Sequence, residues 1–315
     1  MLASGVCAEP WIEKFSTLCG DMSFECAFDE PLCAHTSFRV GGAMNAFVEP
    51  VSVEQLAAVS QFCASESTPF FILGNGTNVI ANDKGFRGVV ANLRRLKHET
   101  NATTNGEIVP AGRPLSALVD ATVKKGLSGL ESLTGIPGSV GGAIFVNAGA
   151  FDNSIWDPLA KVWLMLGDRS IHSCPASDFA SSYRDSGIIP GEVVLGATFE
   201  LERRDPGETA QAAMEFSRRR LESQPVSEMS AGCIFKNPEG GSAGSLIDRA
   251  GLKGLKVGGA RVSEKHANYI VNDGRAWAAD ILSLIRIVRD EVRRSTGTEL
   301  LIEVQVLGER GLMEI

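Results

Sequence analysis

Five glycines, Gly135, Gly138, Gly141, Gly142 and Gly149, fall within fifteen positions of the stretch T-G-I-P-G-S-V-G-G-A-I-F-V-N-A-G-A-F, residues 134–151. Backbone with so little side-chain bulk lets another molecule approach the main chain, and successive exposed N–H groups form a concavity that takes an anion. The stretch therefore predicts a loop for a phosphorylated cofactor. A second loop, Gly74-Asn75-Gly76-Thr77-Asn78, follows directly on the apolar run Phe70–Leu73. A strand feeding such a loop suits a phosphate contact, and it is equally the pattern of a plain turn, because Asn and Gly are ordinary turn formers. It is neither a Walker loop, since no Gly-Lys-Ser/Thr follows, nor the G-x-G-x-x-G fingerprint.

Other positions carry reactive side chains. Glu303 stands in the apolar run Leu300–Leu307. A lone carboxylate there is costly to bury, so on a central strand it would be paired or catalytic, and on an edge strand simply solvated. Tyr183 and Arg184 sit in S-S-Y-R-D-S-G between two strand-like runs. They read as a surface turn or as an anion clamp, and the residues alone favour the turn. The basic triplet Arg218-Arg219-Arg220 reads as a solvated helix face. Cys233 follows Ala-Gly in S-A-G-C-I-F-K-N-P, which by itself suggests a packed core thiol. A hydrolase built on this thiol would need a neighbouring base, and none of the four histidines lies in a recognisable partner motif.

The elements that must hold these residues follow from pattern. Residues 1–34 read as a helical lead anchored by Trp11, Phe15 and Phe24, and residues 35–50 as a strand containing a glycine turn. Ser52 with Gln55 opens a helix over 53–67. Phe70–Leu73 and Val89–Asn92 are short strands, and Pro114 opens a helix that Gly126 stops. Lys161–Leu166 and Glu192–Leu201 are strands, 205–224 is a charged helix, and Gln224-Pro225 marks a boundary. Trp277, Ile281, Leu284, Ile285, Val288 and Val292 share a helical face that Gly297 ends, and Leu300–Leu307 is the final strand.

The chain has 315 residues, enough for two or three subdomains, and a net charge of −8, which disfavours nucleic acid and anionic membranes as partners. No apolar run is long enough to span a membrane, and the N-terminal stretch lacks a basic start and a continuous apolar core, so the expectation is a cytoplasmic protein without membrane insertion. The seven cysteines are odd in number and contain no C-x-x-C. Free thiols are expected rather than a disulfide framework, and the wide spacing of Cys19, Cys26 and Cys33 lacks the tight ligand pairs of a zinc site, so no metal is expected.

Taken in order, the motifs H-T-S-F-R-V-G-G, G-N-G-T-N-V, G-I-P-G-S-V-G-G-A-I-F-V-N-A-G-A, Y-R-D-S, Q-P, S-A-G-C-I-F-K-N-P, A-G-L-K-G, K-H-A-N-Y-I-V-N and the terminal E-V strand resemble those of the UDP-N-acetylenolpyruvoylglucosamine reductases of peptidoglycan synthesis. The likeness runs from about residue 35 to 308 and looks like the shorter form of that family, without an inserted tyrosine-bearing loop. It implies an α+β fold: an FAD-binding half of the vanillyl-alcohol-oxidase type, residues 35–204 in two subdomains (35–95 and 96–204), followed by a substrate domain, residues 205–315, whose last strand returns to the active site. The implied reaction uses NADPH to reduce FAD, then adds hydride to the enolpyruvyl ether of UDP-N-acetylglucosamine and a proton to the neighbouring carbon, in a monomeric enzyme.

Carried over residue by residue, the resemblance makes Arg184 the cation for the developing enolate, Glu303 its partner in stabilising or protonating the intermediate, and Cys233 the proton donor. The family usually has serine at the last position; a thiol here also implies sensitivity to thiol reagents. Gly74, Asn75, Gly76, Thr77, Asn78, Gly138, Ser139, Gly141, Gly142, Asn147 and Arg39 become FAD contacts, and Tyr183, Arg220, Asn237 and Lys253 contacts to substrate or nucleotide phosphate. Lys236 and His266 receive no catalytic role. A different flavin oxidase or dehydrogenase on the same cofactor fold is the alternative reading, and the Cys233 hydrolase a further one.

Overall fold

The computed structural model describes residues 9–97 and 108–315. Cys7 lies outside these residues. The chain opens with helix α1 (Trp11–Asp21), whose buried face is Trp11, Phe15 and Cys19. Residues 1–34 are not purely a helical lead: strand β1 (Cys26–Pro31) follows and pairs antiparallel with β2 (Ala43–Val48). His35–Gly42 is not the first half of a strand, because its backbone turns, with Arg39 at φ 55° and Gly41 at φ 121°.

Helix α2 (Val53–Ser65) starts where Ser52 accepts a hydrogen bond from the Gln55 N–H, and it buries Leu56, Val59 and Cys63. It carries the chain over to β3 (Phe70–Leu73). Strands β4 (Val79–Ala81) and β5 (Phe86–Asn92) follow. The first sheet has the order β1-β2-β5-β3, with β5 parallel to both β2 and β3. The glycine loop 74–78 therefore leaves the carboxyl end of β3.

The second sheet is built from β6 (Val109–Pro110), β10 (Leu159–Met165), β11 (Ile171–Pro175) and β12 (Val193–Phe199), in the order β11-β10-β12-β6. Helix α3 (Leu115–Lys124) and the short β7 (Leu127–Ser128) precede the long glycine stretch, and Gly126 takes the left-handed φ of 65° that ends α3. Within the glycine stretch, α4 (Val140–Phe145) begins at Ser139, whose hydroxyl accepts from the Gly142 N–H. A two-stranded hairpin, β8 (Gly149–Ala150) and β9 (Asn153–Ser154), completes it. β13 (Glu202–Arg203) pairs with β7 and leads into α5 (Pro206–Ser223), which Asp205 caps by accepting from the Gly207 N–H at 2.8 Å.

The last third holds α6 (Ala243–Arg249), a small sheet of β14 (Lys256–Val257), β15 (Ala260–Val262) and β16 (Ile270–Asn272), and the long helix α7 (Ala278–Thr296). Ile281, Leu284, Ile285, Val288 and Val292 of α7 are buried, and Gly297 ends the helix at φ 72°. The helix start is held from far away: Asp83 accepts from the N–H groups of Ala278 and Ala279 at 2.8 and 2.9 Å. Such a carboxylate satisfies otherwise orphaned helix N–H groups and opposes the helix dipole.

The expected strand Leu300–Leu307 is shorter. Only β17 (Gln305–Leu307) is regular strand, and β18 (Leu312–Met313) comes after it. β17 lies parallel to β4, between β4 and β18, so the end of the chain returns to its first third. This crossing places Glu303 two residues before β17, anchored by its N–H donating to the Ile234 carbonyl at 2.8 Å. One large core joins α1, α2, both main sheets and the glycine stretch; a second gathers α6, α7 and the small sheet around Phe38, Val40 and Ile80 from the N-terminal third.

Candidate active site

The two glycine loops face each other across the wall of one cavity of ≈ 1330 Å³. Their approach is close enough to exclude side chains. A Cβ on Gly74 would stand 2.6 Å from Ser139 Oγ, and one on Gly76 would stand 2.0 Å from the His35 carbonyl oxygen. Thr77 Oγ1 donates to the Pro137 carbonyl at 3.3 Å and ties the loops together. The N–H groups of Gly141 and Val140 are used internally, donating to the Ala111 and Arg113 carbonyls. Those of Asn75, Gly76, Thr77 and Ser139 donate to no backbone acceptor among the described residues. Asn147 is buried at φ 45°, and its side-chain oxygen has no partner although its amide donates to the Ser182 carbonyl at 2.7 Å. Free N–H groups and a buried, unsatisfied acceptor on a cavity wall are what a large phosphorylated cofactor requires, so these residues fit FAD. The volume exceeds that of usual single-ligand pockets, which leaves room for a second molecule beside it.

The same cavity is also lined by side chains from three distant parts of the chain. Arg184 stands at a left-handed φ of 56° in the loop before β12. Its Nε donates to Glu303 Oε1 at 2.9 Å, its Nη1 to the Asn147 carbonyl at 3.3 Å and its Nη2 to the Gly149 carbonyl at 2.6 Å. A guanidinium has five N–H donors, so one on each terminal nitrogen remains for a ligand. The sequence allowed a surface turn here; the structure instead clamps Arg184 against Glu303, their side chains only 19% and 17% exposed. Burial raises the Glu303 carboxyl above its ordinary value, while Arg184 opposes the rise. Lys236 donates from Nζ to the Arg184 carbonyl at 3.2 Å, which fixes the backbone beneath the clamp.

Cys233 is half-buried and lines the same cavity. Burial pushes its thiol up to about 12, the Glu303 carboxylate adds to the rise, and the Arg184 and Arg220 cations oppose it. The group is therefore a fully protonated thiol at neutral pH. That suits a proton donor and disfavours a nucleophile, which must be thiolate. No histidine lines the cavity among the described residues, so the thiol has no imidazole base there to activate it. His266 packs edge-on against Tyr269 at 4.9 Å, and burial lowers its pKa.

Of the expected substrate contacts, Tyr183, Arg220 and Asn237 line the cavity. The Tyr183 hydroxyl accepts from the Asn237 N–H at 3.4 Å. Arg220 is not part of a solvated face: it is buried, donating from Nε to the Thr134 carbonyl and from Nη1 to Gln224 Oε1, with Nη2 unpartnered. The structure does not bring Lys253 to the cavity; its ammonium pairs with Asp248 at 2.7 Å. Arg39 lines an adjoining cleft that shares Gly74 and Asn75 with the main cavity.

Sequence reasoning missed Gln224 and Tyr269. Both line the cavity, and the Tyr269 hydroxyl donates to Gln224 Oε1 at 3.0 Å, the same oxygen that receives Arg220. Tyr269 also lies opposite Cys233 in an antiparallel bridge. Gln224 was legible as a helix end and as part of the Q-P motif but was given no role, and Tyr269 stood unassigned inside K-H-A-N-Y-I-V-N.

A glycine-built cradle joined to a buried Arg–Glu pair and a protonated thiol fits the site of a flavoprotein. Two family models agree: one described as FAD binding domain matches residues 44–174, and one described as UDP-N-acetylenolpyruvoylglucosamine reductase, C-terminal domain, matches residues 224–307. The chain is 42% identical to the UDP-N-acetylenolpyruvoylglucosamine reductase of Carboxydothermus hydrogenoformans, over 89% of this chain and 93% of the relative. It is 39% identical to that of Geobacter metallireducens, over 94% and 99%. The crystal structure of the reductase from Thermus caldophilus superposes with a TM-score of 0.78 at 36% identity, covering 90% of this chain and 98% of that one. This chain belongs to the UDP-N-acetylenolpyruvoylglucosamine reductase family, and the α+β architecture agrees with that membership.

Proposed function

We propose that this protein reduces the enolpyruvyl ether of UDP-N-acetylglucosamine to UDP-N-acetylmuramate in peptidoglycan synthesis, with FAD bound and NADPH as the reductant. The observation that carries the reading is the buried Arg184–Glu303 pair beside a protonated Cys233, in one cavity with both glycine loops. Bound here, FAD would supply hydride chemistry, drawn from NADPH, at the distal vinyl carbon of the substrate. Gly74–Asn78 and Gly138–Gly142 would hold the cofactor through backbone N–H groups, with Asn147 as a further contact.

The chain's own work concerns charge and a proton. As hydride arrives, negative charge develops on the neighbouring carbon and its carboxylate. The two free N–H groups of Arg184 form a fork that suits a carboxylate. Fixed donors of this kind each supply about 2.7–4 kcal/mol toward the transition state. Glu303 holds the guanidinium plane and keeps it from turning to solvent. The Cys233 S–H gives its proton to the carbon, a C–H bond forms, and the electron pair stays on sulfur. The thiolate so formed is stabilised by Arg184 and Arg220 until it regains a proton from water. Tyr183, Arg220 and Asn237 are substrate contacts in this reading.

The purified protein should be yellow, bleach with NADPH in the absence of oxygen, and regain its colour on addition of the enolpyruvyl substrate with UDP-N-acetylmuramate as product. Recolouring by oxygen alone, with no reaction of the substrate, would favour an oxidase of similar fold.

A further inference from the structure

Once Cys233 has given up its proton, the charge left on sulfur must be stabilised where it stands. A thiol pushed up to about 12 is a weak acid, and hydrogen bonds to its charged form are what ease the loss of the proton. The groups around it are largely committed. Arg184 spends three donors on Glu303 and on the Asn147 and Gly149 carbonyls, and its remaining fork faces the substrate carboxylate. Arg220 spends Nε on Thr134 and Nη1 on Gln224, which leaves Nη2. Asn268 is engaged at both ends with the Phe235 backbone, accepting from its N–H at 3.0 Å and donating to its carbonyl at 2.8 Å. Glu303 adds negative charge and opposes a thiolate.

Tyr269 offers a neutral donor in the same place. It opposes Cys233 in an antiparallel bridge, and residues so paired project from one face with Cβ atoms about 5 Å apart. Both line the cavity. Burial raises the Tyr269 phenol above its ordinary value, Cys233 adds to the rise by charge and as a hydrogen-bonding neighbour, and Arg220 opposes it. The ring is buried and packed edge-on against His266 at 4.9 Å, so the easy motion left is rotation of the O–H about the C–O bond. At rest that O–H donates to Gln224 Oε1 at 3.0 Å. The same oxygen also receives Arg220 Nη1 at 2.9 Å. When the phenol turns away, Gln224 therefore keeps a partner, and no buried acceptor is orphaned.

We infer that the Tyr269 hydroxyl turns from Gln224 Oε1 to Cys233 Sγ as the thiol gives up its proton, and that this hydrogen bond stabilises the thiolate. The inference rests on the reading above, in which Cys233 is the proton donor. Tyr269 keeps its own proton throughout, and its O–H returns to Gln224 once water has reprotonated the sulfur. A neutral donor of this kind acts on the charged form without adding charge to the resting site.

The test is Tyr269→Phe in the FAD-bound protein, which removes one oxygen and keeps the ring against His266. Iodoacetamide labelling of Cys233 at pH 10, read by mass spectrometry, should slow about tenfold, the scale of a lost hydrogen bond to a charged group, because less thiolate is present. Looser packing would act in the opposite direction by exposing the sulfur. In anaerobic stopped-flow, NADPH should bleach the variant at the wild-type rate, and reoxidation by the enolpyruvyl substrate should slow about tenfold. Labelling as fast as in the wild type, or faster, overturns the inference, and so does reoxidation at the wild-type rate. A wild-type flavin that the substrate fails to reoxidise would instead remove the functional reading, and the labelling rates would still show whether the phenol reaches the sulfur.

Discussion

The two walls of the cavity are built on opposite plans. One is backbone: two glycine loops, 74–78 and 138–142, packed so closely that a Cβ on Gly74 would stand 2.6 Å from Ser139 Oγ. The other is side chain: Arg184 and Glu303, 119 residues apart, meet at 2.9 Å beside a thiol from a third segment. A backbone wall gains affinity by having nothing in the way and makes no demand on protonation. A side-chain wall sets charge, and it needs both partners present because either one alone is a buried, uncompensated ion. The first wall suits a resident cofactor, the second a reacting substrate.

Changes to the side-chain wall should therefore show in rate, and changes to the backbone wall in cofactor retention and stability. The largest effect is expected for Arg184→Leu. It removes the donor fork and strands Glu303, and steady-state turnover should fall about 10³-fold, near the upper end for one oxyanion donor. Gly76→Ala should break the other wall. Its Cβ would meet the His35 carbonyl at 2.0 Å, at a left-handed φ of 62°. Strain and overpacking together should cost about 3 kcal/mol, read by denaturant unfolding, with FAD lost on gel filtration. A Gly76→Ala protein that keeps its cofactor but loses turnover would blur the division.

The third effect is chemical. The thiol was expected from its type alone to react readily. Burial and the neighbouring carboxylate push it up to about 12, so at pH 8 the thiolate fraction is on the order of 10⁻⁴. Alkylation of Cys233 by iodoacetamide, followed by mass spectrometry, should be slow at pH 8. Because the thiolate is the reactive form, the rate should still be rising about tenfold per pH unit at about pH 10, where an ordinary thiol has levelled. The smallest effect is expected for Lys253→Ala. Its ammonium already pairs with Asp248 away from the cavity, so KM for the UDP-sugar should change less than about twofold, as for an exposed ion pair.

The backbone wall was far more legible in the sequence than the side-chain wall. A run of glycines is a local signal, because the residue type itself states what the backbone must do. The helices read well for the same reason: Ser52, Asp205 and Gly297 mark their ends with local chemistry. Arg184, Glu303 and Cys233 are joined by a chain crossing, β17 against β4, that no local pattern announces; from the residues alone, Arg184 read as a surface turn, Glu303 as paired or catalytic on a central strand and solvated on an edge one, and Cys233 as a core thiol. Family resemblance, not pattern, brought the three together. Glu303 also shows the limit of alternation, since the run Leu300–Leu307 reads as one strand while only Gln305–Leu307 is strand. Arg220 was drawn from the solvated face into the interior by partners 86 and 4 residues away, which a charge triplet cannot reveal.

The central claim, that flavin and the Arg184–Glu303–Cys233 wall act on one substrate in one cavity, is tested most directly by separating the half-reactions in anaerobic stopped-flow. Cys233→Ala should be bleached by NADPH at the wild-type rate, and its reoxidation by the enolpyruvyl substrate should slow by about 10²-fold or more, the scale of a missing general acid, with Cys233→Ser recovering much of it. Reoxidation of Cys233→Ala at the wild-type rate would contradict the account.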